Sequence, residues 1–166
     1  MPRLPRLQTT MGLAILVAAF SLRAATLAPW SGGPSPPLRA NTLADQPFDL
    51  DARKGSVVIV NFWATWCAPC VAEMPSLQRL RDKLGVQVIA INFQENTARS
   101  HSFLQRNGIA LPVVRDHDGS LRAAWHVNLF PSTFVIAPDG RVALVGVGEV
   151  DWDDPAIQSQ IAALRQ

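Results

Sequence analysis

Residues 61–75 read NFWATWCAPCVAEMP, and they hold both cysteines of the chain, Cys67 and Cys70. The stretch leaves an apolar run, SVVIVNFWA (56–64), and enters a pattern of helical spacing over 68–84, which predicts a buried strand, a sharp turn and a helix. At that junction Cys67 stands at the helix N-terminus, where free backbone amides and the helix dipole favour a thiolate. Cys70 follows one turn further in. Only the outer thiol is then well placed to attack, and the site is expected to be held, partly exposed, at the helix end. Pro69 suits a first turn, whereas Pro75 lies inside the pattern and predicts a kink, with Leu77, Leu80 and Leu84 beyond it packing on the sheet.

Other uses of such a pair fit less well. A structural disulfide would close a loop too short to remove much chain entropy. Zinc would need two more ligands, and His101, His117 and His126 stand singly, without ligand spacing. No metal is therefore expected. Two soft thiolates suffice in principle for Cu(I), so a metallochaperone stays open as an alternative to redox chemistry. The strand-then-helix context favours redox chemistry.

Working outward, the second half of the strand–helix pattern repeats the first. VQVIAINF (86–93) is a second buried strand and TARSHSFLQRN (97–107) a helix stopped by Gly108. A short strand at LPVVR (111–115) and a helical turn at SLRAAWHV (120–127) follow. STFVI (132–136), the turn at Pro138, Asp139 and Gly140, and RVALVGV (141–147) predict a hairpin. Asp154 and Pro155 then open a last helix whose inward stripe is Ile157, Ile161 and Leu164. Asp116 to Gly119 predict a turn, Trp63, Trp125 and Trp152 core or rim aromatics, and His126 a place at the core edge.

Upstream the composition changes. Arg3 and Arg6 precede MGLAILVAAFSL (11–22), which suits a signal-peptide core or an N-terminal membrane anchor over residues 1–28 and places the folded part outside the cytoplasm. Residues 29–42, opened by PWSGGPSPPLR, predict a Pro/Gly-rich linker, with the domain at 43–166. Among 166 residues, 48% are apolar and 17% charged, enough for one ordinary core. Lys and Arg total 15 against 13 Asp and Glu. Removing the three arginines of the export segment leaves 12 against 13, which gives no reason to expect nucleic acid as a partner.

VNFWATWCAPCVAEMPSL (60–77), FPSTFVIAPDGRV (130–142) and GEVDW (148–152) resemble the TlpA/ResA-like branch of extracytoplasmic thioredoxin-fold proteins over about residues 43–166. The resemblance implies an α/β thioredoxin-like fold, a central mixed sheet flanked by helices and closed by a C-terminal hairpin and helix. It implies a thiol-disulfide oxidoreductase whose only redox group is the Cys67–Cys70 dithiol, with no added cofactor. Cys67 would form the mixed disulfide with substrate and Cys70 would resolve it. Trp66, Ala68, Pro69, Phe130 and Pro131 would meet the substrate, Pro131 being the family's cis-proline. Leu129 and Phe130 depart from the smaller residues usual there. Cytosolic thioredoxins carry an aspartate where Asn61 stands, so Glu73, one turn after Cys70 on the same face, is the expected proton carrier, with its pKa raised if it is half buried.

These readings together predict a periplasmic protein, or one anchored on the outer face of the cytoplasmic membrane, that reduces disulfides in exported proteins, cytochrome c maturation included. A membrane thiol-electron carrier of the DsbD/CcdA kind would recharge it. An oxidant that donates its disulfide is the alternative within the same chemistry.

Overall fold

The structure is a computed structural model and describes residues 26–165. The apolar core of the expected export segment lies outside the described residues.

Strands β4 (Val58–Trp63), β5 (Gln87–Phe93) and β6 (Val113–Asp116) are joined by helices α1 (Ala68–Leu84) and α2 (Thr97–Arg106). The three strands pair in parallel, Ile59 opposite Val88 and Ile91 opposite Val114, because each connection is long enough to carry a helix back over the sheet. After the short α3 (Ser120–Ala124), β7 (Ser132–Ile136) runs antiparallel to β4 and pairs with β8 (Val142–Val147) as the expected hairpin. Helix α4 (Pro155–Ala163) ends the chain, with the Asp154 carboxylate accepting the Ala156 N–H at 2.7 Å. Helix α1 runs through Pro75 as a single element and stops at Gly85, whose φ of 63° is the left-handed conformation of a helix C-cap.

Strand alternation sorts the core into two layers. Ile59 and Trp63 of β4 join Met74, Leu77 and Leu80 of α1, Phe103 of α2 and Ile157 and Ile161 of α4 on one face. Val58, Val60 and Phe62 join Ile89, Ile91, Phe134 and Trp125 on the other. Full burial of an apolar side chain of this size contributes about 1.5–3 kcal/mol. Trp63, Trp125 and Trp152 are all core residues, each 1% exposed or less. His126 differs from expectation: it is exposed, at a φ of 53°.

The larger difference concerns residues 29–42. Instead of a tether they form part of the domain. Strand β1 (Ala28–Pro29) adds to the free edge of β8, Ala28 opposite Val145, and β2 (Arg39–Asn41) forms a hairpin with β3 (Pro47–Asp49). The main sheet thus has the order β1-β8-β7-β4-β5-β6. Leu38, Phe48 and Leu50, all under 8% exposed, close the second core layer. The physical reason is coverage, since among the described residues the only α-helix on that face is the five-residue α3. On the first face, Gly146 of β8 makes room for the arm: a Cβ there would sit 2.9 Å from Val150 and 3.1 Å from Leu27.

Candidate functional site

The chain leaves β4 through a turn in which the Cys67 N–H donates to the Ala64 carbonyl at 3.2 Å, and α1 begins at the next residue. Cys67 is the N-cap of α1, and its sulfur accepts the Cys70 N–H at 3.3 Å. A disulfide joins the two cysteines, with a Cα–Cα separation of 5.3 Å. Cys67 is less open than a helix-end position suggested, at 6% exposed, and Cys70 is at 0%. The order of access is nevertheless the expected one: what reaches the surface is Cys67, flanked by exposed Trp66, Ala68 and Pro69.

Opposite these residues the Phe130–Pro131 peptide is cis, and the β7 ladder begins at Ser132, leaving Phe130 outside it. The Trp66 and Phe130 rings meet edge to face at 5.7 Å, Phe130 packs on Phe93 at 5.2 Å, and the Arg122 guanidinium lies 5.4 Å from the centre of the Phe93 ring. Trp66 and Leu129 are 58% and 55% exposed. An apolar, mainly aromatic strip therefore borders the disulfide, and Phe93 and Arg122 are members that sequence reading did not single out. Their signal was positional: Phe93 is the last residue of a buried strand run whose C-terminal end lies beside that of β4.

Glu73, on the inner face of α1, is 2% exposed. Its Oε1 accepts the Asn61 amide at 2.6 Å, and its Oε2 accepts the Val150 N–H at 3.0 Å. The same Asn61 amide nitrogen donates to Thr133 Oγ1 at 2.9 Å, across the β4–β7 pairing that sets Asn61 opposite Thr133. Burial pushes the Glu73 carboxyl up to about 7, against the lowering effect of the Val150 and Asn61 hydrogen bonds and the nearby Trp152 indole. The Trp152 indole N–H itself makes no hydrogen bond of ordinary geometry. Glu149 adds a smaller upward push. The loop after β8 thus brings one backbone donor to an acid seventy-seven residues earlier in the chain.

Around Asp116 and Asp118, where a turn was expected, the carboxylates accept the N–H groups of Leu121, Arg122 and Ser120. No group of three or more potential metal ligands occurs among the described residues.

Comparison with known proteins places this geometry. The Redoxin family model matches residues 31–161. Thiol-disulfide oxidoreductase ResA of Bacillus subtilis (strain 168) is 37% identical over 103 residues, which span 60% of this chain and 58% of that protein. ResA of Geobacillus thermodenitrificans (strain NG80-2) is 32% identical over 126 residues, spanning 74% of this chain and 72% of its own. Among solved structures, a thiol:disulfide interchange protein of the thioredoxin family from Chlorobium tepidum TLS superposes with a TM-score of 0.69 at 26% identity, covering 83% of this chain and 97% of that one.

Proposed function

The chain belongs to the Redoxin family and is a thiol-disulfide oxidoreductase of the ResA kind with a thioredoxin-like fold; on that premise we propose that it acts outside the cytoplasm as a reductant of disulfides in exported proteins. The Cys67 thiolate attacks a substrate disulfide, making a Cys67–substrate bond and releasing one substrate thiolate. Cys70 gives its proton to the Glu73 carboxylate and attacks the Cys67 sulfur. The second substrate thiolate leaves, and the Cys67–Cys70 disulfide remains. Two electrons have passed to the substrate. A membrane thiol carrier of the DsbD/CcdA kind restores the dithiol by the same exchange in reverse. Trp66, Ala68, Pro69, Phe130 and Pro131 form the docking edge, whose aromatic strip favours a partner with apolar residues beside its cysteines. Apocytochrome c before haem attachment is one such class of disulfide-bearing partner.

The direction of exchange rests on one observation, the placement of Glu73. A couple is oxidising when its reduced form is stabilised, as in DsbA with its low-pKa thiolate. Here a carboxylate one helical turn from Cys70, 2% exposed, opposes a thiolate at Cys70 whenever it is ionised. Its charge works against the stabilisation that the N-terminus of α1 gives a Cys67 thiolate, which holds the couple away from the DsbA extreme and on the reducing side.

Equilibration against glutathione gives the reduction potential directly. The expected value lies nearer that of thioredoxin, about −270 mV, than that of DsbA, about −120 mV. A value on the DsbA side would reverse the direction and make the chain a disulfide donor. Localisation follows the same reading: export by the apolar segment over residues 11–22, ahead of the buried Leu27 and the paired Ala28, and action in the periplasm or on the outer face of the cytoplasmic membrane. Among the described residues no helix is long and apolar enough to cross a membrane.

A further inference from the structure

The turn that delivers Cys67 to the helix is closed by one backbone bond of 3.2 Å, from Cys67 N–H to the Ala64 carbonyl, and Thr65 and Trp66 fill its two central positions. Such a turn at a sheet end is a soft element. A second set of contacts holds it. Glu95, on the loop between β5 and α2, takes the Thr65 N–H on Oε2 at 2.7 Å and the Thr65 hydroxyl on Oε1 in a shorter contact. The same Oε2 accepts the Asn92 amide at 2.8 Å, and Oε1 pairs with Arg99 Nε at 2.8 Å. Arg99 Nε also reaches Thr65 Oγ1 at 2.9 Å.

Two features separate this arrangement from an ordinary loop tie. First, the carboxylate is buried, at 9% exposed, while its only cationic partner among the described residues, Arg99, stands mostly in solvent. Taking a charge out of water is unfavourable unless several donors replace the water, and here four do. Secondly, both donors of a single residue are captured at once, which fixes the backbone and the side chain of Thr65 together. The anchor behind Glu95 is equally firm: Asn92 is fully buried in β5, and its Oδ1 accepts the Ser100 hydroxyl of α2 at 2.8 Å. The rigid β5–α2 corner therefore grips the residue two before Cys67 and next to Trp66.

We propose that Glu95 is a positioning residue for the redox site, holding the Ala64–Cys67 turn so that Cys67 is fixed against Cys70 and Trp66 against the substrate edge. Glu95 does not touch the reacting sulfurs and carries no proton for them. Its effect is on effective concentration: the tendency of a dithiol to close depends on how tightly one sulfur is held beside the other.

The inference rests on Cys67 and Cys70 being the working couple, and its test is the same equilibration against glutathione carried out on the whole chain and on variants, together with urea midpoints of both redox forms. Glu95→Gln should lower the constant for disulfide formation about tenfold, a potential about 30 mV less negative. That change also removes a negative charge, which by itself favours the Cys67 thiolate, so Thr65→Val isolates positioning by deleting the hydroxyl while the carboxylate stays. It should lower the constant several-fold, and Thr65→Ser, which keeps the hydroxyl, should restore the parent value. Should Glu95→Gln not fold, the Thr65 pair decides alone. Equal constants for Thr65→Val, Thr65→Ser and the parent, whatever happens to the urea midpoints, would overturn the proposal and leave Glu95 a tie of the fold. A parent potential on the oxidising side would overturn the direction proposed above without touching this comparison, which reads differences between variants.

Discussion

A carboxyl group held at about 7 by burial makes the stability of the disulfide form depend on pH in a particular window. The folded pKa of Glu73 lies above its ordinary 4.5, so folding favours the protonated acid. The stability it lends is complete below about 4.5 and is lost as pH rises through about 7. The difference amounts to about 3 kcal/mol, at 1.36 kcal/mol per unit. Asp118, Asp139 and Asp153 have lowered values and surface positions, so their contribution disappears only below their ordinary 3.8, outside the window. Urea unfolding of the oxidised protein between pH 4.5 and 8 should therefore show a fall that Glu73→Gln abolishes. Exchange should mark the same group: the resolving step quickens as Glu73 ionises toward pH 7, and in the variant stopped-flow rates should lose that rise. An unchanged pair of profiles would mean that water takes the Cys70 proton.

At the scale of the element, α1 divides labour between two cysteines three residues apart, because one is its cap and the other its first buried turn. Cys70→Ser should accumulate a mixed disulfide with a disulfide-bearing substrate, visible on non-reducing gels. Cys67→Ser should trap little, since its remaining thiol is wholly covered. Equal trapping would remove the asymmetry. Much of this was legible beforehand, because a nine-residue run ending at Ala64 and a helical pattern opening at Ala68 leave the cysteines one place to be. What Glu73 would touch was not legible. Asn61 and Val150 come from β4 and the loop after β8, and hydrogen bonds across 12 and 77 residues leave no periodicity to read. Glu95 escaped for a related reason. A lone acid between a strand and a helix usually faces solvent, and only the packing of two loop corners brings it to Thr65.

For the whole molecule, the N-terminal arm decides how complete the domain is. Proline and glycine between residues 29 and 37 hide its role, since proline is tolerated in edge pairing and the arm's apolar contacts come from isolated residues rather than a run. Leu38 is 1% exposed beneath the sheet, and Leu38→Ala should destabilise the protein by about 2–4 kcal/mol in denaturant titrations while leaving the glutathione equilibrium near the parent value. A stability loss below about 0.5 kcal/mol would mean that the arm is only a tether after all. The same arm crosses the sheet from one side to the other. Near its start, β1 lies along β8, and further on the Leu43 N–H donates to the Val113 carbonyl at 2.7 Å while Thr42 bridges Val114, outside β6. One stretch of the protein's own backbone thereby lies along part of each margin of the five strands β8-β7-β4-β5-β6. Exposed strand margins are where sheets of neighbouring chains join and aggregate. A thiol-disulfide oxidoreductase built this way can offer a partner its sulfur without offering it a strand.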